Sequence, residues 1–167
     1  MRSSATAAQI DDATFRSVLG NFASGVTVVT GAHHDALAGF TCQSFSALSL
    51  DPPLVVVLPN RHSRSWMAIA RCGRFCVNVL AESQQAISVT FARSGAGKFD
   101  GVTWSPSPTG SPVLDGVAAW IDCTLSAVYP GGDHLIVVGA VEHCSASGLP
   151  PLLFHRGQYR GARPTVG

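Results

Sequence analysis

The stretch 39–46, GFTCQSFS, strings hydrogen-bonding side chains along an extended segment: Thr41, Gln43, Ser44 and Ser46 offer hydroxyls and an amide. NRHSRS (60–65) then adds Asn60, Ser63, Arg64 and Ser65 at the start of a short helical pattern. Many weak donors in place of one strong base suit a ligand with a planar heteroaromatic ring and a phosphate tail. Carbonyl and ring-nitrogen acceptors are met by backbone N–H groups along an extended strand. A phosphate calls for hydroxyls, a helix N-terminus and an arginine. On composition alone the plainer alternative stays open, that these serines cap a helix and decorate a solvent-facing strand.

Other chemistries are poorly supplied. No G-x-G-x-x-G follows a strand; GAGKFDG (95–101) has the wrong spacing and follows a helix, and Ala92 stands where a P-loop needs its first glycine. No G-x-S-x-G elbow exists, despite six histidines. His33, His34 and Asp35 are adjacent, and neighbours on an extended segment point to opposite faces, so a solvated turn is expected there and no metal site. The five cysteines, Cys42, Cys72, Cys76, Cys123 and Cys144, are odd in number and form no Cys-x-x-Cys. They read as reduced thiols acting as small buried hydrophobes.

The elements that must hold these groups follow from composition and periodicity. A chain of 167 residues, 46% hydrophobic, is expected to form one globular domain over 1–167, with 1–10 as a flexible tail. Its 13% charged share lies well below the roughly 25% of an average soluble protein, so part of the outer surface is expected to be covered, most simply by a second copy. A net charge of +1 supplies no field for nucleic acid. No apolar run approaches the ~18 residues of a membrane span, and MRSSATAAQI lacks an apolar signal core, so a cytoplasmic protein without membrane contact is expected.

Asp11 and Asp12 are cap candidates for a helix whose Phe15, Val18, Leu19 and Phe22 form one stripe, ended by Gly25. Residues 26–31 read as a strand and 37–50 as its hairpin partner, broken at Pro52-Pro53. LVVVL (54–58) does not alternate, which predicts burial of both faces. Ser63 caps a short helix with Trp66, Ile69 and Ala70 inward, RFCVNVLA (74–81) is a strand, and Ser83 caps a second helix carrying Ile87 and Phe91. Residues 94–116 read as a long surface connection anchored by Trp104. Two longer strands flank the turn PGGD (130–133), and 151–161 closes the domain as a short strand and turn. Strands dominate without strand–helix alternation along the whole chain, which argues against a doubly wound sheet and fits a closed or half-closed antiparallel barrel with a few helices better.

In order along the chain, FRSVLGNFASGVTVVT, GFTCQSFSALSLDPPLVVV, SRSW, GRFCVNVL, KFDGV, GGDHLIVVGAVE and PLLFHRGQY resemble the flavin reductase-like family, over roughly 15–159. These are the small reductase components of two-component flavin-dependent monooxygenases. The resemblance implies a mainly β, split-barrel fold of the antiparallel Greek-key, FMN-binding type with short helices, and a homodimer. It also implies NAD(P)H-dependent reduction of FAD or FMN, with FAD and NADH favoured, and release of reduced flavin by diffusion to a separate oxygenase. Carried onto this chain, the flavin site comprises Leu37, Ala38, Gly39, Phe40, Thr41, Gln43, Ser44, Leu58, Pro59, Asn60, Ser63, Arg64, Ser65 and Phe91. Gly39 would let the ligand approach the backbone. His134, in the Gly-Asp-His segment, would lie beside the nicotinamide as the catalytic histidine, with Phe154, His155, Arg156 and Gly157 completing the NADH site. His155 stands where relatives carry tyrosine. Two alternatives share this architecture: a non-catalytic flavin-binding module, and a pyridoxamine-phosphate-oxidase-like enzyme. The second needs a strongly cationic phosphate pocket, where this sequence shows Arg64 and few neighbours.

Overall fold

The structure is a computed structural model, and it describes residues 10–33 and 36–162. The expected tail at 1–10 lies, Ile10 apart, outside the described residues, as do His34 and Asp35. In chain order the elements are α1 (Asp12–Leu19), β1 (Ser24–Gly25), β2 (Thr27–His33), β3 (Ala36–Cys42), β4 (Phe45–Leu50), β5 (Pro53–Val57) and α2 (Arg64–Ala70). β6 (Arg74–Val79), a 3-10 turn (Glu82–Gln84), α3 (Gln85–Ala92), β7 (Trp104–Pro106) and β8 (Pro112–Leu114) follow. β9 (Ala119–Gly131), β10 (His134–Ala146), β11 (Leu152–His155) and β12 (Gln158–Gly161) complete the chain.

The main sheet has seven antiparallel strands in the order β3-β2-β6-β9-β10-β5-β4. Its two edge strands, β3 and β4, are consecutive in the chain and joined only by Gln43 and Ser44. Three Cα steps from Cys42 to Phe45 can bridge no more than about 11 Å. The opposite edges must therefore meet at that end, and the sheet curls into a barrel. The expected single strand over 37–50 is thus corrected: closure requires the chain to leave one edge and join the other at Gln43–Ser44. Inside lies an apolar core of Val29, Val55, Val57, Trp66, Ile69, Phe75, Val77 and Val137. β5 alternates, with Val55 and Val57 buried and Leu54 and Val56 half-buried, so LVVVL is not buried on both faces.

A second core, with Val26, Val28, Leu80, Phe91, Leu114 and Leu152, packs the barrel against a three-stranded sheet ordered β1-β11-β12. The two sheets are tied where Leu80 N–H donates to Val26 O, Val26 N–H to Leu152 O, and Leu152 N–H to Leu80 O, at 2.8–3.1 Å. Part of the segment 94–116 belongs to this core: it folds into the β7–β8 hairpin and buries Ser107, Ser111, Pro112 and Leu114, so the expected surface connection is corrected. Trp104 does anchor it, edge-on to Phe99. The predicted first helix ends at Leu19 with Gly20 as its C-cap, not at Gly25, which instead pairs with Leu153. Ser83 makes no cap for α3; the preceding 3-10 turn is closed by Gln84, whose Oε1 accepts from Ala81 N–H. Of the cysteines, Cys42, Cys76 and Cys123 are buried and behave as small hydrophobes, whereas Cys144 is exposed. Burial and the neighbouring Asp122 carboxylate push the Cys123 thiol up to about 12, so it stays protonated. No helix among the described residues is long and apolar enough to cross a membrane.

Candidate active site

β3 lies at the sheet edge, so one side of its backbone has no strand partner. In an antiparallel ladder the N–H and C=O of one residue point the same way, and the direction alternates along the strand. Gly39 O turns away from β2 and accepts from Lys98 Nζ at 2.9 Å. The N–H groups of Leu37, Gly39 and Thr41 therefore face outward too. Against this edge runs an open cavity of about 820 Å³, of the size that holds cofactors and drug-sized ligands. Its walls are 37–41 from β3, Asn60 and 62–65 at the start of α2, Ala68, and 91–100 from the end of α3 and the loop beyond.

Of the flavin-site residues expected from sequence, Leu37, Ala38, Gly39, Phe40, Thr41, Asn60, Ser63, Arg64, Ser65 and Phe91 line this one cavity. Gln43, Ser44, Leu58 and Pro59 do not. Gln43 and Ser44 form the barrel-closing link, with Ser44 O accepting from Leu58 N–H, and Pro59 is buried with its carbonyl accepting from Leu135 N–H. Gly39 also needs its missing Cβ for a neighbour within the chain: a Cβ there would meet the buried Phe91 ring at 2.6 Å.

The hydroxyls divide by role. Thr41 donates to Ser88 O at 2.6 Å and is committed to α3. Ser63 Oγ accepts from Trp66 N–H, the expected helix cap, and Ser65 Oγ accepts from Lys98 Nζ at 3.3 Å. A serine oxygen that accepts keeps its own proton to donate elsewhere. The wall therefore offers outward N–H groups and two O–H groups, a donor set that fits the acceptor-rich edge of a flavin and its phosphates.

Sequence reasoning missed the loop 92–100, including Arg93, Lys98, Phe99 and Asp100, because its glycine-rich run reads as plain connection. Lys98 stands in the KFDGV motif, the one signal that could have found it. With Arg64 and Arg93 it gives the cavity three cations, which corrects the expectation of Arg64 with few neighbours. Burial pushes the Lys98 ammonium below the ordinary lysine range. Among the described residues no cluster of His, Cys, Asp and Glu could hold a metal ion.

His134 sits at the rim, bridged through its backbone to Asn60. Its Nδ1 lies 2.8 Å from Asp133 Oδ1, and this hydrogen bond holds the exposed Asp133 carboxyl below its ordinary value. Phe154, His155, Arg156 and Gly157 lie elsewhere in the chain and do not line the cavity. Phe154 packs edge-on to Tyr159, whose hydroxyl lies 2.9 Å from Ser88 Oγ. Arg156 and Gly157 form the β11–β12 turn with φ of 49° and 76°. Arg156 Nε and Nη2 donate to Asn21 Oδ1, and its N–H to Gly20 O, docking the turn on the end of α1.

The chain is 54% identical over 162 residues to the reductase subunit HsaB of a flavin-dependent monooxygenase from Mycobacterium tuberculosis, covering 94% of this chain and 86% of that one. The crystal structure of a nitrilotriacetate monooxygenase component B homologue from Mycobacterium thermoresistibile superposes with a TM-score of 0.90 at 51% identity, covering 94% and 89% of the two chains. The NADH:FAD oxidoreductase SgcE6 of Streptomyces globisporus, in complex with NAD and FAD fragments, does so with a TM-score of 0.89 at 31% identity, covering 94% and 96%. The flavin reductase like domain model matches residues 19–163, and the chain that curls its polar edge strand around this donor-lined cavity belongs to that split-barrel family.

Proposed function

We propose that this protein reduces flavin at the expense of NADH and supplies the reduced flavin, by diffusion, to a separate monooxygenase component. The observation that carries the reading is the cavity along the unpaired edge of β3, with donors on its wall and His134 at its rim. Bound there, a flavin supplies the hydride-accepting ring, whose chemistry is its own. The chain's task is to hold two ring systems at near-attack distance, about 3–3.5 Å between reacting atoms. The N–H groups of Gly39 and Thr41 would fix the acceptor edge, and Ser63, Ser65, Arg64 and Arg93 the phosphates. Three cations favour a pyrophosphate over a single phosphate monoester, hence FAD over FMN, in keeping with the FAD named for the Streptomyces relative.

At the rim, Asp133 orients His134: when Nδ1 carries the proton it donates to Oδ1, and Nε2 is turned outward to meet the nicotinamide. Arg156 does not line the cavity of its own chain, so its role toward NADH would require a homodimer that brings the β11–β12 turn to a partner's cavity. The test is anaerobic mixing of NADH with FAD and with FMN, with and without the protein. Faster flavin bleaching with FAD than with FMN supports the reading, and no acceleration with either flavin refutes it.

A further inference from the structure

Lys98 is half-buried in the cavity wall and donates to three acceptors from three elements. These are Gly39 O of β3 at 2.9 Å, Phe91 O of α3 at 3.1 Å, and Ser65 Oγ of α2 at 3.3 Å. An ammonium has three hydrogens and no acceptor capacity, so all are committed within the protein. A carboxylate would be the usual partner for such a buried charge, yet the ion pair formed among the described residues is Asp133–His134, at the rim. The other charged or titratable groups bordering the cavity are His62 and Arg64 at the start of α2, and Arg93 and Asp100 on the lysine's own loop. None of them makes an ion pair with it. That loop is otherwise lightly held. Residues 92–97 are exposed, Gly95, Gly97 and Gly101 have positive φ, and Phe99 pins it by stacking edge-on against Phe91 at 5.0 Å.

We propose that Lys98 is a positioning residue that sets the hydrogen-bonding polarity of the flavin wall by acting through Gly39 and Ser65. An edge strand presents alternating donors and acceptors, and an acceptor-rich ligand edge is repelled by an exposed carbonyl. By occupying Gly39 O, Lys98 removes that acceptor and leaves the Gly39 N–H to meet the ligand. By donating to Ser65 Oγ it directs the serine's own proton outward, so the hydroxyl also becomes a donor. Its charge, unmatched by a carboxylate, is compensated when an anionic ligand arrives. The same bonds fasten the glycine-rich loop to β3 and α2, so wall polarity and loop position are set together. This inference rests on the flavin-binding reading above.

The test is equilibrium titration of FAD into the wild type, K98M, K98R, S65A and the double variant K98M/S65A, with thermal melts to confirm folding. In K98M the FAD Kd is expected to rise roughly tenfold or more. Its flavin KM should rise more than its kcat falls. Because Lys98 orients Ser65, the double variant should bind little more weakly than K98M alone. K98R keeps the charge, but a planar fork cannot reach three converging acceptors, so its affinity should be intermediate. Ligand binding favours the protonated lysine, so wild-type affinity should fall as pH rises through the depressed lysine pKa, while K98M stays flat over that range. Wild-type affinity in folded K98M, or fully additive losses in the double variant, would overturn the proposal. A wild type that binds no FAD would overturn the functional reading itself.

Discussion

Gly39 lines the cavity, and its missing Cβ also makes room for a neighbour that the sequence does not name. Its place on a polar strand is legible, because residue types and spacing are local information. That the missing Cβ makes room for the Phe91 ring is not, since Phe91 arrives from α3 only after the barrel has closed. Gly39→Ala would drive a methyl into a buried aromatic ring at 2.6 Å. Overpacking of this kind costs about 1–3 kcal/mol. The expected result is a lowered Tm together with weaker FAD binding, because Phe91 O is also a Lys98 acceptor. A melt and a flavin titration on one preparation check both. His134→Ala belongs to the same scale. Its ring lies outside the cavity lining and is held by Asp133, so the NADH KM should rise and flavin reduction slow, while the FAD Kd changes little. Stopped-flow reduction beside equilibrium binding separates these effects, and lost flavin affinity with normal NADH kinetics would reverse the assignment.

Among elements, those whose own pattern decides them were readable: the Ser63-capped α2, the long β9–β10 hairpin, and the β11–β12 turn. Misread were those whose form is decided by distant partners. The split of 37–50 into β3 and β4 follows from barrel closure, which no local pattern encodes. The β7–β8 hairpin hides within a Gly-, Ser- and Pro-rich run because a side chain from β6 organises it. Asn78 Nδ2 shares its two hydrogens among Val28 O, Thr30 Oγ1 and Pro112 O at 3.0–3.3 Å, while its Oδ1 accepts from Leu114 N–H at 2.8 Å. One buried amide thus joins β2, β6 and β8, and in the sequence it is merely one polar residue in RFCVNVLA. Asn78→Leu would match its volume but strand these buried groups without partners. A loss of about 3 kcal/mol is expected, from one to two unsatisfied buried groups at ~1–3 kcal/mol each. Chemical denaturation would register it as a lower midpoint at unchanged slope.

At the scale of the whole molecule, one apolar face of the chain stays uncovered. The α1 stripe that predicts a helix is real, yet no residue of α1 is buried: Phe15, Val18 and Leu19 stand more than half exposed and Phe22 is 83% exposed. An eight-residue helix is not stable on propensity, and its stability comes from packing an amphipathic face. The Asp11 cap and the Asn21–Arg156 contact hold its ends but cover none of that face. On the edge strand β4, Leu48 and Leu50 are likewise exposed. A 13% charged chain that leaves this much apolar surface uncovered among its described residues is expected to bury it against a partner, and a second copy would do so without any further component. Such a dimer would also bring a use for the Phe154–Gly157 segment, which lies outside its own protomer's cavity. Phe22→Asp tests this without disturbing the protomer, since the side chain touches little within it. Sedimentation velocity at micromolar concentration should show a dimer for the wild type and a shift toward monomer for F22D, with the melting of the barrel retained. If the dimer completes the nucleotide site, monomeric F22D should also show a raised NADH KM. A wild type that sediments as a monomer would show that α1 is covered by something other than its own copy.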